Sequence, residues 1–164
     1  MIPGSAFTVQ RTGKKNECIV FVNVYYRRKW NYILSIIFTE QDIVSRKVAV
    51  VKSHYIEFPK SWVKLFEGKD IVVMPGGNKG ILNIYFLSEW EKVIEKLRQD
   101  ISGKGKSGEI ILRSFLAASV QEQLENGRLY LPENMLYRAG IEEKAELMEI
   151  RKDGANFFAL RKAQ

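Results

Sequence analysis

A run of cations between two aromatic residues is the part of this sequence best suited to chemistry with a polyanion. Arg27, Arg28 and Lys29 follow one another directly, with Tyr26 before them and Trp30 after them. Guanidinium and ammonium groups bind phosphate and aromatic rings stack on bases, so this pattern is typical of nucleic-acid contacts. The same residues would also suit the solvated tip of a hairpin, and the sequence leaves both interpretations open.

Four further cations are candidate contacts. Arg46, Lys47 and Lys52 lie on or beside a predicted strand, where they either face DNA or protect the edge of a sheet from aggregation. Arg128 directly follows a predicted tight turn, where it either contacts phosphate or pairs with nearby carboxylates. The predicted nucleic-acid-binding residues are therefore Arg27, Arg28, Lys29, Arg46, Lys47, Lys52 and Arg128.

The net charge of +7 is concentrated at the start of the chain. Residues 1–60 contain ten Lys and Arg against four Asp and Glu, a net charge of +6. Residues 61–164 contain sixteen Lys and Arg against fifteen Asp and Glu, a net charge of +1. A basic region beside a nearly neutral remainder favours a polyanionic partner, with nucleic acid first. A surface rich in Lys and Glu, of the kind found in thermophilic proteins, is the alternative explanation.

Catalysis and metal binding have little support in the composition. Cys18 is the only cysteine and His54 the only histidine, which argues against a thiolate zinc site, a Ser-His-Asp triad and a Cys-His dyad. The segment GKGKSG at 103–108 lacks the G-x-x-x-x-G-K-[ST] spacing of a phosphate-binding loop and follows a predicted helix instead of a strand. We therefore expect neither enzymatic activity nor a cofactor.

The chain also lacks the sequence signals of membrane insertion. No apolar run approaches the ~18 residues of a membrane span, and the first ten residues lack the charged-then-apolar pattern of a signal peptide. We expect a cytoplasmic protein whose partner is double-stranded DNA, with self-association left open. Neither a membrane nor a small-molecule substrate is predicted as a partner.

Strands dominate the predicted secondary structure. The segments CIVFVNVYY and NYILSIIF predict an N-terminal hairpin that carries the RRKW cations at its tip. Ser88, with Glu91 three residues later, predicts a capping box at the start of a helix. Asp153-Gly154 predicts a hairpin turn, and the stretch SGKGKSG predicts a linker between two helices.

Two segments of the chain follow the same order of elements. YIEFPKSWVKLFEGKDIVVMPGGNKGILNIYFL and RLYLPENMLYRAGIEEKAELMEIRKDGANFFAL each predict a strand, a Pro, a short helix, a Gly and a hairpin. Pro59 aligns with Pro132, and Gly68 aligns with Gly140. One such unit is too small to bury its own apolar face, whereas two copies, in one chain or swapped between chains, can close a small barrel.

The second segment resembles a known family. GRLYLPENMLYRAGI is similar to the AbrB (SpoVT-AbrB) swapped-hairpin fold. The layout of two units, with LSEWEKVIEKL after the first and RSFLAASVQEQ before the second, resembles MraZ. The resemblance covers about Ser45 to Lys162 and implies DNA binding in transcription regulation. It also implies a mostly β fold with short helices (α+β), formed by tandem AbrB/MraZ-like swapped-hairpin β-barrel units.

The turn motif of that family is only partly present. The family carries a D-x-x-G-R or D-x-x-x-R turn before an apolar strand and a Pro. Gly127 and Arg128 match this motif, while Leu124 stands at the Asp position. In the first unit, Val51 and Tyr55 stand at the Asp and Arg positions. The missing charged pair favours an alternative function, a non-catalytic protein–protein assembly or antitoxin-like module that uses the fold for oligomerisation.

These observations divide the chain into three predicted regions. Residues 1–44 form a basic N-terminal β-hairpin extension, 45–102 a first AbrB/MraZ-like unit with its C-terminal helix, and 103–164 a linker and a second unit. The predicted function is that of a DNA-binding protein, a small transcriptional regulator that contacts phosphates through basic hairpins.

Overall fold

The computed structural model of the protein describes residues 37–52 and 54–164. It divides into two compact units, and the described part of the smaller one is 95–117. The other described residues belong to the second unit. The predicted N-terminal hairpin, except for its last two residues, lies outside the described residues, and so do the cations at its tip: Arg27, Arg28 and Lys29.

The second unit is built around one antiparallel sheet. Its strands are β1 (Ile43–Lys52), β2 (Tyr55–Glu57), β3 (Ile71–Pro75), β4 (Ile81–Phe86), β5 (Val120–Glu122), β6 (Arg128–Tyr130), β7 (Lys144–Lys152) and β8 (Ala155–Lys162). They pair in the order β5-β3-β4-β8-β7-β1-β2-β6, which forms a nearly closed barrel-like sheet. The described residues are thus mixed α+β and mostly strands, so the predicted fold class is confirmed at this level.

Alternating apolar residues give the sheet its core. Every second side chain along a strand points to the same face, and one buried cluster takes such residues from several strands. These inward residues include Ile71, Val73, Leu82, Ile84, Leu147, Phe158 and Leu160. Burial of these apolar side chains is the main force that holds the strands together.

Four α-helices complete the described residues: α1 (Lys60–Phe66), α2 (Leu87–Ile101), α3 (Lys106–Ala117) and α4 (Glu133–Arg138). Pro59 and Pro132 precede α1 and α4 with nearly the same backbone angles, φ −58° and ψ 136° against φ −56° and ψ 134°. Pro suits this place because the first N–H groups of a helix have no partner within it. Gly68 and Gly140 follow these helices with φ of +74° and +70°, a conformation that favours glycine.

The order strand, strand, helix, strand, strand occurs twice in this unit. Most strand pairs of one half have a counterpart in the other: β3 pairs with β5 as β7 pairs with β1. The Phe58 N–H donates to the Gly127 carbonyl at 2.9 Å, and the Leu131 N–H donates to the His54 carbonyl at 3.1 Å. A shift of 73 positions turns the first bond into the second, because it takes Phe58 to Leu131 and Gly127 back to His54. The halves are therefore related by an approximate twofold axis.

Two local predictions differ from the structure. The capping box at Ser88 is wrong, because α2 begins at Leu87, whose N–H donates to the Asp70 carbonyl at 3.0 Å. The predicted linker is shorter than expected, because Lys106 already begins α3.

Candidate nucleic-acid interface

The exposed outer surface of β2 and β6 brings a cation and two tyrosines together. Ile56 and Leu129, opposite each other in the middle of the two strands, are fully buried. Their neighbours therefore point outward. The resulting group, here called the β2–β6 face, consists of Tyr55, Glu57, Arg128 and Tyr130, with Tyr55 opposite Tyr130 and Glu57 opposite Arg128.

The aromatic rings of the β2–β6 face form a cluster with His54. The ring centroids of Tyr55 and Tyr130 are 5.2 Å apart with an interplanar angle of 46°. The His54 ring lies 5.8 Å from that of Tyr55 and 5.7 Å from that of Tyr130. These separations are within the range of attractive ring pairs, so the three rings hold one another in place.

Arg128 lies against this cluster. Its Cζ is 4.8 Å from the centre of the Tyr55 ring, which is cation–π geometry. Its Nε is 3.7 Å from Oε2 of Glu57. A hydrogen bond with the Tyr130 side chain is the first cause that raises the pKa of Arg128, followed by the charge interaction with Tyr55. The guanidinium is therefore oriented by three neighbours, yet 43 % of the side chain remains exposed.

Lys52 extends the positive charge beside the face. It is the last residue of β1 and pairs directly with Tyr55 in the ladder between β1 and β2. Its side chain is exposed, and no carboxylate of the described residues forms an ion pair with it. Of the four predicted contacts that the structure describes, Lys52 and Arg128 thus lie on one surface.

Arg46 lies elsewhere on β1 and is held by carboxylates. Its guanidinium contacts Glu40 at 2.6 Å and Glu146 at 3.4 Å. Arg161 contacts the same two residues at 2.8 and 2.7 Å. Hydrogen bonds from Arg161, first, and from Arg46 lower the pKa of Glu40. The two cations and two anions balance each other, so a phosphate at Arg46 would have to compete with carboxylates.

Lys47 points away from both of these groups. Successive residues of a strand face opposite sides of the sheet, and the Lys47 Nζ lies 6.0 Å from the centre of the buried Trp62 ring of α1. The three cations predicted along β1 therefore do not form one surface. Arg46 and Lys52 share the outer side of β1, and Lys47 lies on the other.

Sequence reasoning missed the contribution of Tyr55, Tyr130 and Glu57. In the sequence, Tyr55 stands where the family motif has an Arg, whereas in the structure the guanidinium of Arg128 lies over the Tyr55 ring. The signal was present in the repeat, because Ile56 and Leu129 are equivalent positions. A pairing of β2 with β6 about those two residues sets Tyr55 against Tyr130.

A separate cleft of about 620 Å³ lies between the turn after β3, the end of β8 and the end of α4. The cleft is lined by both cations and carboxylates: Glu40, Lys79, Glu142, Arg161 and Lys162. This mixture of charges selects no single class of ligand. In residues 37–52 and 54–164, no group of three or more His, Cys, Asp or Glu is arranged to hold a metal ion. No helix of those ranges is long and apolar enough to cross a membrane.

Comparison with known proteins adds no assignment. A scan against protein-family models finds no match for the chain, and a search of the curated proteins finds none either.

Proposed function

We propose that the protein binds DNA as a small transcriptional regulator, with no catalytic role. The observation that carries this proposal is the β2–β6 face, where Arg128 is held over Tyr55 beside Tyr130, with the exposed Lys52 next to it. Oriented cations next to half-buried aromatic rings on a surface suit contacts to phosphates and bases.

The charge distribution supports the same proposal. The first 60 residues hold a net charge of +6 out of +7, and Arg27, Arg28 and Lys29 belong to that part of the chain. Cations that neutralise phosphates release condensed counterions, which makes the affinity strongly dependent on salt. In this proposal the N-terminal cations supply most of the affinity, and the β2–β6 face supplies an oriented contact.

The pairing of the two halves supports a swapped-hairpin architecture of the AbrB/MraZ type. The hairpin of β3 and β4 pairs with β5 of the second half, and the hairpin of β7 and β8 pairs with β1 of the first half. Each hairpin thus completes the sheet of the other repeat. We propose that the chain is a divergent member of that family in which both units occur in tandem.

A gel-shift titration against random duplex DNA tests the proposed function. Binding should be clear at ~50 mM salt and weaker by at least tenfold at ~200 mM salt. Joint replacement of Arg27, Arg28 and Lys29 by Glu should weaken binding further and leave the melting temperature unchanged. Equal binding at both salt concentrations would contradict the electrostatic mechanism, and loss of folding in the variant would show that these cations are structural.

An assembly module is the second candidate, and one observation favours it. Val44, Val48 and Val50 of β1 are exposed, with Val48 at 59 %. Neighbouring exposed apolar residues on a strand are typical of a protein contact. Replacement of Val48 and Val50 by Ser should dissociate an oligomer in analytical ultracentrifugation, whereas the control Leu65→Ser on α1, 45 % exposed, should not. A chain that sediments as a monomer at all concentrations would exclude self-assembly.

A further inference from the structure

We propose that the β2–β6 face stacks unpaired nucleobases, so that the protein binds single-stranded DNA more tightly than duplex DNA. This inference depends on the proposed nucleic-acid binding and specifies which form of nucleic acid this face takes. It comes from the arrangement of two tyrosines and an arginine on an exposed sheet surface.

Two layers of the proposed stack, Tyr55 and Arg128, are already in contact in the protein. The guanidinium of Arg128 lies over one side of the Tyr55 ring, and its side chain keeps 43 % of its surface exposed. A guanidinium plane stacks on a base as an aromatic ring does. A base added to the exposed side would continue the order Tyr55, Arg128, base, and the adjacent ring of Tyr130 offers a second stacking surface 5.2 Å from Tyr55.

The local charge favours a base over a phosphate at this point. Glu57 lies opposite Arg128 at 3.7 Å and is itself 40 % exposed. The carboxylate offsets the positive charge of the guanidinium and repels a phosphate placed directly on it. Lys52, beside Tyr55 and without a carboxylate partner among the described residues, is better placed to contact the backbone next to a stacked base.

The geometry also favours single strands. Tyr55 begins β2 and Tyr130 ends β6, and their side chains lie side by side on the surface of the sheet. In a duplex both faces of each base are covered by its neighbours, so stacking on a protein ring requires a base that has left the helix. A single strand presents such bases without that cost.

Fluorescence anisotropy with one labelled strand tests the inference. The probe is a 15-nucleotide strand of mixed sequence, measured alone and annealed to its complement at ~100 mM salt. We expect the single strand to bind about tenfold more tightly than the duplex, the size of effect that a single base–aromatic stack produces. Tyr130→Leu should remove most of this preference. Tyr130→Phe should retain most of it, because Phe keeps the stacking ring and loses only the hydroxyl that bonds Arg128, which Tyr55 and Glu57 still contact.

Tyr137→Leu is the matched control, since Tyr137 of α4 is 83 % exposed and takes part in none of the ring pairs of the β2–β6 face. It should change neither affinity. A duplex bound as tightly as the single strand, or a preference that Tyr130→Leu leaves intact, would overturn the inference and leave the proposed function standing. If Tyr130→Leu fails to fold, the wild-type ratio and the Phe variant still decide. Absence of binding to both probes would overturn both proposals.

Discussion

The helices α1 and α4 have equivalent places in the two halves but contribute different kinds of side chain to the core. A shift of 73 positions relates three core positions in or beside α1 to three in or beside α4. The first half supplies aromatic residues and the second supplies smaller ones: Phe58, Trp62 and Phe66 against Leu131, Met135 and Ala139.

The aromatic residues of the first half and Phe158 of the second form one connected group. The ring of Phe66 lies 5.0 Å from Phe58, 5.1 Å from Phe86 and 4.8 Å from Phe158. Trp62 contacts Phe158 at 5.4 Å. The same backbone arrangement therefore tolerates two different packings. The position of each helix depends on its Pro and Gly boundaries, whereas the core requires only that the facing side chains fill its volume.

Replacement of Phe66 by Ala tests this comparison most severely, because it gives the first half the residue that the second half has at Ala139. Phe66 is fully buried, and its removal would leave a cavity that the second half fills in another way. We expect a loss of about 3–5 kcal/mol in the free energy of unfolding. Urea denaturation followed by circular dichroism measures this change.

Leu65→Ala is the matched control for Phe66→Ala, because the neighbouring Leu65 is 45 % exposed on the same helix. It should cost clearly less than the change at Phe66. A cost below about 1 kcal/mol for Phe66→Ala would show that the aromatic group is not a fixed part of the core.

The halves also differ at the turn that precedes each helix. β1 and β2 pair at three positions. The described strands β5 and β6 do not pair, and the bridge between Glu125 and Arg128 closes the turn between them. Leu124 is buried in the core cluster, so the chain turns inward there and leaves the ladder. Asn126 and Gly127 reverse the chain with φ of +55° and +78°.

Gly127→Ala tests this second difference. A Cβ at Gly127 would lie 3.3 Å from Cγ2 of Val63, in addition to the strain of a positive φ. We expect a loss of about 1–2 kcal/mol in the free energy of unfolding. Gly154→Ala is the control, because Gly154 has a φ of +82° but open space around it. A smaller loss at Gly127 than at Gly154 would mean that the contact with Val63 contributes nothing.

Local signals in the sequence predicted most of the elements. Asp153-Gly154 predicted the turn between β7 and β8, and both residues have a positive φ there. The two Pro–helix–Gly patterns likewise predicted α1 and α4. Such signals succeed because they reflect the backbone conformation of a few adjacent residues.

The candidate site was harder to predict because it depends on contacts between distant parts of the chain. Arg128 meets Tyr55 across 73 positions, and the pairing of Arg46 with Glu146 spans 100. Neither contact leaves a local pattern, since charge and burial along one strand do not reveal its neighbour. The cations along β1 were therefore grouped by sequence, whereas the sheet separates Lys47 from Arg46 and Lys52.

The ion-pair network around Glu40 gives the smallest of the expected effects and tests how the halves are joined. Glu40 and Arg46 belong to the first half, and Glu146 and Arg161 to the second. The pKa of Glu40 is lowered by Arg161 and then Arg46. A carboxyl group whose pKa is lower in the folded state stabilises the protein above its unfolded pKa, and this contribution is lost as the pH falls through the folded pKa.

Glu40→Gln should therefore lower the melting temperature slightly at about pH 7, and the difference from the wild type should shrink towards about pH 3. The effect should be smaller than that of either change above, because Glu40 is exposed and screened by solvent. Added salt should reduce it further at neutral pH. A difference that stays constant with pH would show that Glu40 acts through packing of the turn at Glu40–Asp42, and that its charge does not join the two halves.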